Sequence, residues 1–213
     1  MFALWIRLVC FVNAVNFASA YLPCNAWIAV MFDASKPSEY FTEEMFADQK
    51  KLMKSLLGPD KFQFYFRLAL GSVAFPETNL TTFNRFLFDK DVMNYIDSLQ
   101  QSRTGENVLQ HAMDDFFANA QLKKTTAYDY TAVFFVSKLF EKEVNYARQA
   151  AKRLQDEGIR VALVAHSNKE LDLNRLVRVT EDPTAVFNWK AGQRVPSDDT
   201  TQWFRNVLAC KGI

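Results

Sequence analysis

The sequence predicts a mainly parallel α/β fold of the Rossmann-like, doubly wound kind, with about six strands and helices on both faces. Three observations carry that expectation. Short apolar runs alternate with helical patterns along most of the chain, which demands a parallel sheet sandwiched by helices. Two of the runs, Thr131 to Val136 and Ile159 to Ala165, are almost continuously apolar, as strands covered on both faces must be. Helical segments also stop at glycine before the next strand, at Gly58-Pro59 and at Gly158.

Taken in order, Ala26 to Phe32 reads as the first strand, Asp33 to Ser38 as a turn, and Phe41 to Leu57 as a helix. Phe62 to Ala74 is β-rich, and Asn84 to Phe88 is expected to pair with it as a short strand beyond the loop at Pro76. Helices follow at Asp91 to Leu99 and Glu106 to Ala120, then the strand at Thr131. Glu141 to Glu157 predicts a helix, Ile159 to Ala165 a strand, Glu170 to Val179 a helix, Ala185 to Asn188 a strand and Ser197 to Cys210 a last helix. Ligands of such sheets sit beyond the carboxyl ends of the strands, so the informative loops are Asp33 to Ser38, Ser102 to Gly105, Ser137 to Phe140 and His166 to Asn168.

The first 20 residues have a lone charge at Arg7, an apolar stretch from Leu8 to Val12, and small residues at Ala18 and Ala20. That pattern predicts a secretory signal peptide over 1–20, a mature domain over 21–213 starting at Tyr21, and an extracellular location. Asn13 and Asn16 interrupt the apolar run, which is too short to span a bilayer. The whole chain carries 25 basic and 24 acidic side chains, and removing Arg7 leaves 24 of each. A neutral domain has no long-range field to gather nucleic acid or anionic lipid. Cys10 leaves with the signal, so Cys24 and Cys210 are expected to form one disulfide joining the two ends, the alternative being two free thiols. Asn79-Leu80-Thr81 is the sole N-glycosylation sequon.

Phe32-Asp33-Ala34-Ser35-Lys36-Pro37 at the end of the first strand resembles the opening of the von Willebrand factor A domain, whose metal-ion-dependent adhesion site begins Asp-x-Ser-x-Ser. Arg103-Thr104-Gly105 ahead of a helix is similar to that family's threonine loop. Thr131 to Val136 resembles the strand that leads into its Asp-Gly, and the helix ending at Gly158 before Ile159-Arg160-Val161 resembles the passage that follows. Leu176 to Asn188, with Asp182-Pro183 and Val186-Phe187, is similar to the closing segment, so the resemblance spans Cys24 to Cys210.

The resemblance implies a binding module whose upper loops hold a divalent cation through oxygen ligands, with one position open to an acidic group of the partner. Asp33, Ser35 and Thr104 match the family's ligands in type. Pro37 stands in place of the second serine, and Ser137, followed by Lys138, in place of the last aspartate. The expectation is therefore no cofactor or weakly bound Mg²⁺. The partner is expected to be an extracellular protein or matrix component, with no nucleic acid and no membrane insertion. Tyr40, Phe41 and Phe140 flank the upper loops and are the expected contact residues.

Catalytic signatures are missing: the sequence has no Gly-x-Ser-x-Gly elbow, Gly-x-Gly-x-x-Gly loop, Walker loop or metal-spaced His or Cys cluster. His166 at the end of a strand, with Asp33 and Ser35, is the one remote hydrolase-like grouping. The expected function is an extracellular protein-binding or adhesion module that is not an enzyme. A secreted structural or carrier scaffold is the alternative.

Overall fold

The computed structural model describes residues 26–57, 66–76, 78–83, 85–86, 89–120, 129–190 and 198–208. The expected signal segment, Cys24 and Cys210 lie outside them.

Six strands form one sheet in the order β3-β2-β1-β4-β5-β6. They are β1 (Ala26–Asp33), β2 (Phe66–Val73), β3 (Asn79–Leu80), β4 (Asp129–Val136), β5 (Ile159–Ser167) and β6 (Val186–Lys190). All neighbouring pairs are parallel except β2 with β3, where Gly71 faces Leu80 and Ser72 faces Asn79. The helices are α1 (Glu43–Leu57), α2 (Asp89–Ser98), α3 (Leu109–Asn119), α4 (Glu141–Asp156), α5 (Leu173–Thr180) and α6 (Asp198–Leu208).

Alternation along the buried strands sorts the core into two layers. Ala29, Met31, Ala132, Phe134, Val161 and Leu163 meet α3, α4 and α5 on one face. Ile28, Val30, Phe32, Val133, Phe135 and Val164 meet α1, α2 and α6 on the other. Each helix supplies its apolar stripe to one layer only, for example Val144, Ala147, Ala151 and Leu154 of α4. Both faces of the sheet are thus withdrawn from water, as continuous apolar strands require.

The expected strand at Asn84 to Phe88 is corrected. The short strand lies earlier, at Asn79–Leu80, while Arg85 and Phe86 are not in a strand and Asn84, Leu87 and Phe88 lie outside the described residues. Phe86 packs on Tyr95, with ring centroids 5.5 Å apart, and Phe83 just before the segment is buried against Trp27 at 5.0 Å. Other helix and strand boundaries agree to within about three residues where the structure describes them, while the expected residues 62–65, 197 and 209–210 lie outside the described residues. Gly158 closes α4 with φ +81°, a conformation that glycine reaches without a Cβ clash.

The chain winds outward from β1 through β2 to β3, and from β4 through β5 to β6. Helices that follow β1 and β4 therefore leave toward opposite faces, and a crevice opens above the carboxyl ends of those two adjacent strands.

Candidate functional site at the carboxyl ends of β1 and β4

Asp33 is the last residue of β1 and is fully buried at the crevice. Its Oδ1 accepts the Ser35 amide at 3.0 Å, which turns the chain sharply, and its own amide donates to Gln49 Oε1 at 3.0 Å. Ser35 and Ser137 are buried beside it, and Asn107, also buried, reaches in from the loop before α3. Burial pushes the Asp33 carboxyl above the ordinary carboxylate range, and the side chains of Ser137, Ser35 and Asn107 pull it part of the way back. Oδ2 receives no bond of full hydrogen-bond geometry, and Asn107 Oδ1 is likewise buried without a donor, although Asn107 Nδ2 donates to the Phe135 carbonyl at 3.0 Å.

A second polar layer supports this one. Gln49 Nε2 lies 3.5 Å from Nδ1 of His166, so Gln49 stands between the imidazole and the Asp33 backbone. His166 is buried, stacks on Trp189 with centroids 3.8 Å apart, and meets the Phe41 ring edge-on at 6.5 Å. Burial lowers its pKa to about 3, so it is neutral at physiological pH. An imidazole packed in this way is a filled core position.

The loops are laced together by their backbones. Ala34 N donates to the Val73 carbonyl at 3.0 Å, Ser102 N to Ala34 O at 2.8 Å and Lys36 N to Gly105 O at 2.8 Å. Above them Glu106 takes two cations, Lys36 at 3.2 Å and Lys138 at 3.0 Å. Both ammoniums hold the Glu106 carboxyl below the usual range. One carboxylate thus ties the loop after β1, the loop before α3 and the loop after β4.

Of the expected contact residues, Tyr40 is half-buried and Phe140 is 38% exposed, their rings meeting edge to face at 6.0 Å. Glu143 accepts the Phe140 amide at 2.9 Å and fixes it at the start of α4. Phe41 does not face solvent: it is fully buried against α1 and His166, because the turn at Ser38 directs its apolar ring inward. Thr104 is exposed and lines a neighbouring cleft, whereas Asn107 occupies the place beside Asp33. Gln49, Glu106 and Asn107 were not singled out from the sequence. Gln49 alone left a signal, as a polar residue on the otherwise apolar stripe Met45, Phe46, Leu52, Met53 and Leu56.

The oxygens around Asp33 suit a hard cation in type but not in charge. A dedicated Mg²⁺ site draws on several oxygens with carboxylate charge among them. Here one carboxylate is present, Pro37 brings no hydroxyl, and Glu106, next in sequence to Asn107, is spent on two ammoniums. Among the described residues no group of three or more His, Cys, Asp or Glu side chains could hold a metal. The donor set does not fit a tightly held divalent ion.

No protein-family model and no curated protein sequence matches the chain. Solved structures do. Proximal thread matrix protein 1 of the mussel byssus, with a zinc-occupied adhesion motif, aligns with TM-score 0.64 and 15% identity over 84% of this chain and 46% of its own. The chain therefore spans just under half of that protein. The VWA domain of SpRpn10 aligns with TM-score 0.59 and 11% identity, covering 86% of this chain and 95% of that domain. The pilus adhesin SpaC of Lactobacillus rhamnosus GG gives TM-score 0.56 and 10% identity over 88% of this chain and 30% of the adhesin. The mainly parallel six-stranded sheet with helices on both faces is the von Willebrand factor A fold. At these identities the likeness establishes the architecture and leaves the activity to be argued from the site.

Proposed function

We propose that the chain is an extracellular protein-binding module that carries no catalytic role and engages its partner through the loops above β1 and β4 without relying on a divalent ion. The observation that carries this reading is the Lys36–Glu106–Lys138 bridge, which joins those three loops beside a site with one carboxylate. A surface held by its own charges is already shaped for a partner, which lowers the ordering cost of association. The half-exposed pair Tyr40 and Phe140 beside it offers the rigid aromatic area that protein contacts favour. Two of the structural neighbours are named as a matrix protein and an adhesin, which supports an extracellular protein or matrix partner. Among the described residues no helix is long and apolar enough to cross a membrane.

Affinity capture from extracellular fluid, with the secreted chain as bait, tests the reading. The expected result is a saturable partner retained in chelator and weakened about tenfold or more by Tyr40→Ala with Phe140→Ala. Capture abolished by chelator would remove the metal-independent clause. A partner indifferent to both aromatic changes would remove the site.

A further inference from the structure

A cleft of about 830 Å³ opens beside the crevice, between the β3 edge of the sheet, α2 and the loop that follows α2. Its size falls within the roughly 300–1,000 Å³ typical of small-molecule sites. Arg85 and Arg103 both line it, and among the described residues no Asp or Glu does. That imbalance stands out in a chain whose charges otherwise cancel. Neither guanidinium has a carboxylate partner among the described residues; Arg85 instead lies over the Tyr95 ring, 5.2 Å from its centroid. Stacking holds the guanidinium plane while leaving its N–H edge free for an oxyanion.

The remaining walls are rich in hydroxyl and amide groups, including those of Ser72, Thr81 and Gln101. Gln101 is held by its Nε2, which donates to the Ser35 carbonyl at 2.8 Å, while its buried Oε1 has no donor. Two positive charges with polar, hydroxyl-bearing walls fit neither an acyl chain nor a neutral apolar molecule. We infer that this cleft binds an anionic saccharide of two or three rings, its sulfate or carboxylate on Arg85 and Arg103 and its hydroxyls along the polar wall of Asn79, Ser98, Gln100 and Thr104. The cleft shares Ala34 and the loop 102–104 with the crevice but does not use Asp33, so its occupancy does not depend on the protein-binding reading of the upper loops.

Calorimetric titration of the secreted chain tests it with three probes: a sulfated heparin-derived disaccharide, the same disaccharide without sulfate, and inorganic sulfate. Saturable binding of the sulfated disaccharide is expected, about tenfold or more tighter than either other probe. Arg85→Ala and Arg103→Ala should each weaken it by roughly tenfold with unchanged thermal unfolding, whereas Lys142→Ala on the exposed face of α4 should leave it unaltered. Asn79 sits on the cleft rim, so the titration is repeated with Asn79→Gln, where affinity should be equal or tighter. No binding of the sulfated disaccharide, equal binding of inorganic sulfate, or equal weakening by Lys142→Ala would each overturn the inference.

Discussion

The ammonium of Lys138 lies 3.0 Å from Oε2 of Glu106, on the opposite carboxylate oxygen from the one that Lys36 reaches at 3.2 Å. Lys138 directly follows Ser137, which is buried beside Asp33, so an ion-paired cation stands at the edge of the crevice.

Glu106→Gln should therefore loosen the loops while changing global stability by less than about 1 kcal/mol, since the pairs are exposed and solvent-screened. Urea unfolding at low and high salt checks it. The difference from the unmodified chain should shrink as salt rises, and a difference that ignores salt would mean the bridge is not electrostatic. Because the Glu106 pKa is lowered, its contribution is present above the unfolded value near 4.5 and is lost as pH falls through the folded value.

At Asp33 the balance runs the other way. The carboxyl is raised by burial, so an isosteric neutral amide removes a desolvation penalty, and Asp33→Asn should unfold within about 1 kcal/mol of the parent. Asp33→Ala strips the Ser35 amide of its acceptor and should cost roughly 1–3 kcal/mol. Addition of Mg²⁺ should leave the melting temperature of the parent unmoved. A rise that Asp33→Asn abolishes would reveal an ion site stronger than the donor set implies.

His166 sets an acid limit. Its folded pKa is about 3 against an unfolded value near 6.5, so the unfolded chain takes up the proton first. Stability is complete above pH 6.5 and declines as pH falls toward 3, by several kcal/mol if the whole shift is expressed. His166→Phe keeps an aromatic ring on Trp189 and should flatten the decline between pH 6.5 and 4 in denaturant titrations. An unchanged slope would assign the acid sensitivity elsewhere.

Gly105 marks a close approach of two loops. A Cβ there would meet the Ala74 carbonyl oxygen at 2.5 Å, which is backbone and cannot swing aside. Gly105→Ala should thus cost about 1–3 kcal/mol and shift the loop carrying Glu106. Thermal unfolding and the nuclear magnetic resonance shifts of Lys36 and Lys138 would register both effects.

The sheet was legible because it is written locally. Continuous apolar runs such as Thr131 to Val136 carry their own two-sided burial, and Gly158 punctuates the helix before β5. The site was half legible. Asp33, Ser35 and Ser137 end or follow β1 and β4, so topology alone brings them together. Asn107 in place of Thr104 was not readable, since a loop's path over Ala74 decides which side chain turns inward. Phe41 misled for a related reason: proximity to the loops in sequence says nothing about the sense of the Ser38 turn. The Glu106 bridge joins residues 32 and 70 positions apart, a relation that no local pattern encodes.

One boundary of the sheet carries a consequence for assembly. The antiparallel ladder of β2 with β3 lasts two residues, after which the Leu70 amide donates not to a backbone carbonyl but to the Thr81 hydroxyl at 2.9 Å. The Thr81 amide returns a bond to the Leu70 carbonyl at 2.9 Å, so both polar groups of Leu70 are already engaged. A third rung is capped by a side chain, and the growing edge is truncated before it offers a template. A strand from a second copy would find no open rung at Leu70, which removes that position from edge-to-edge pairing.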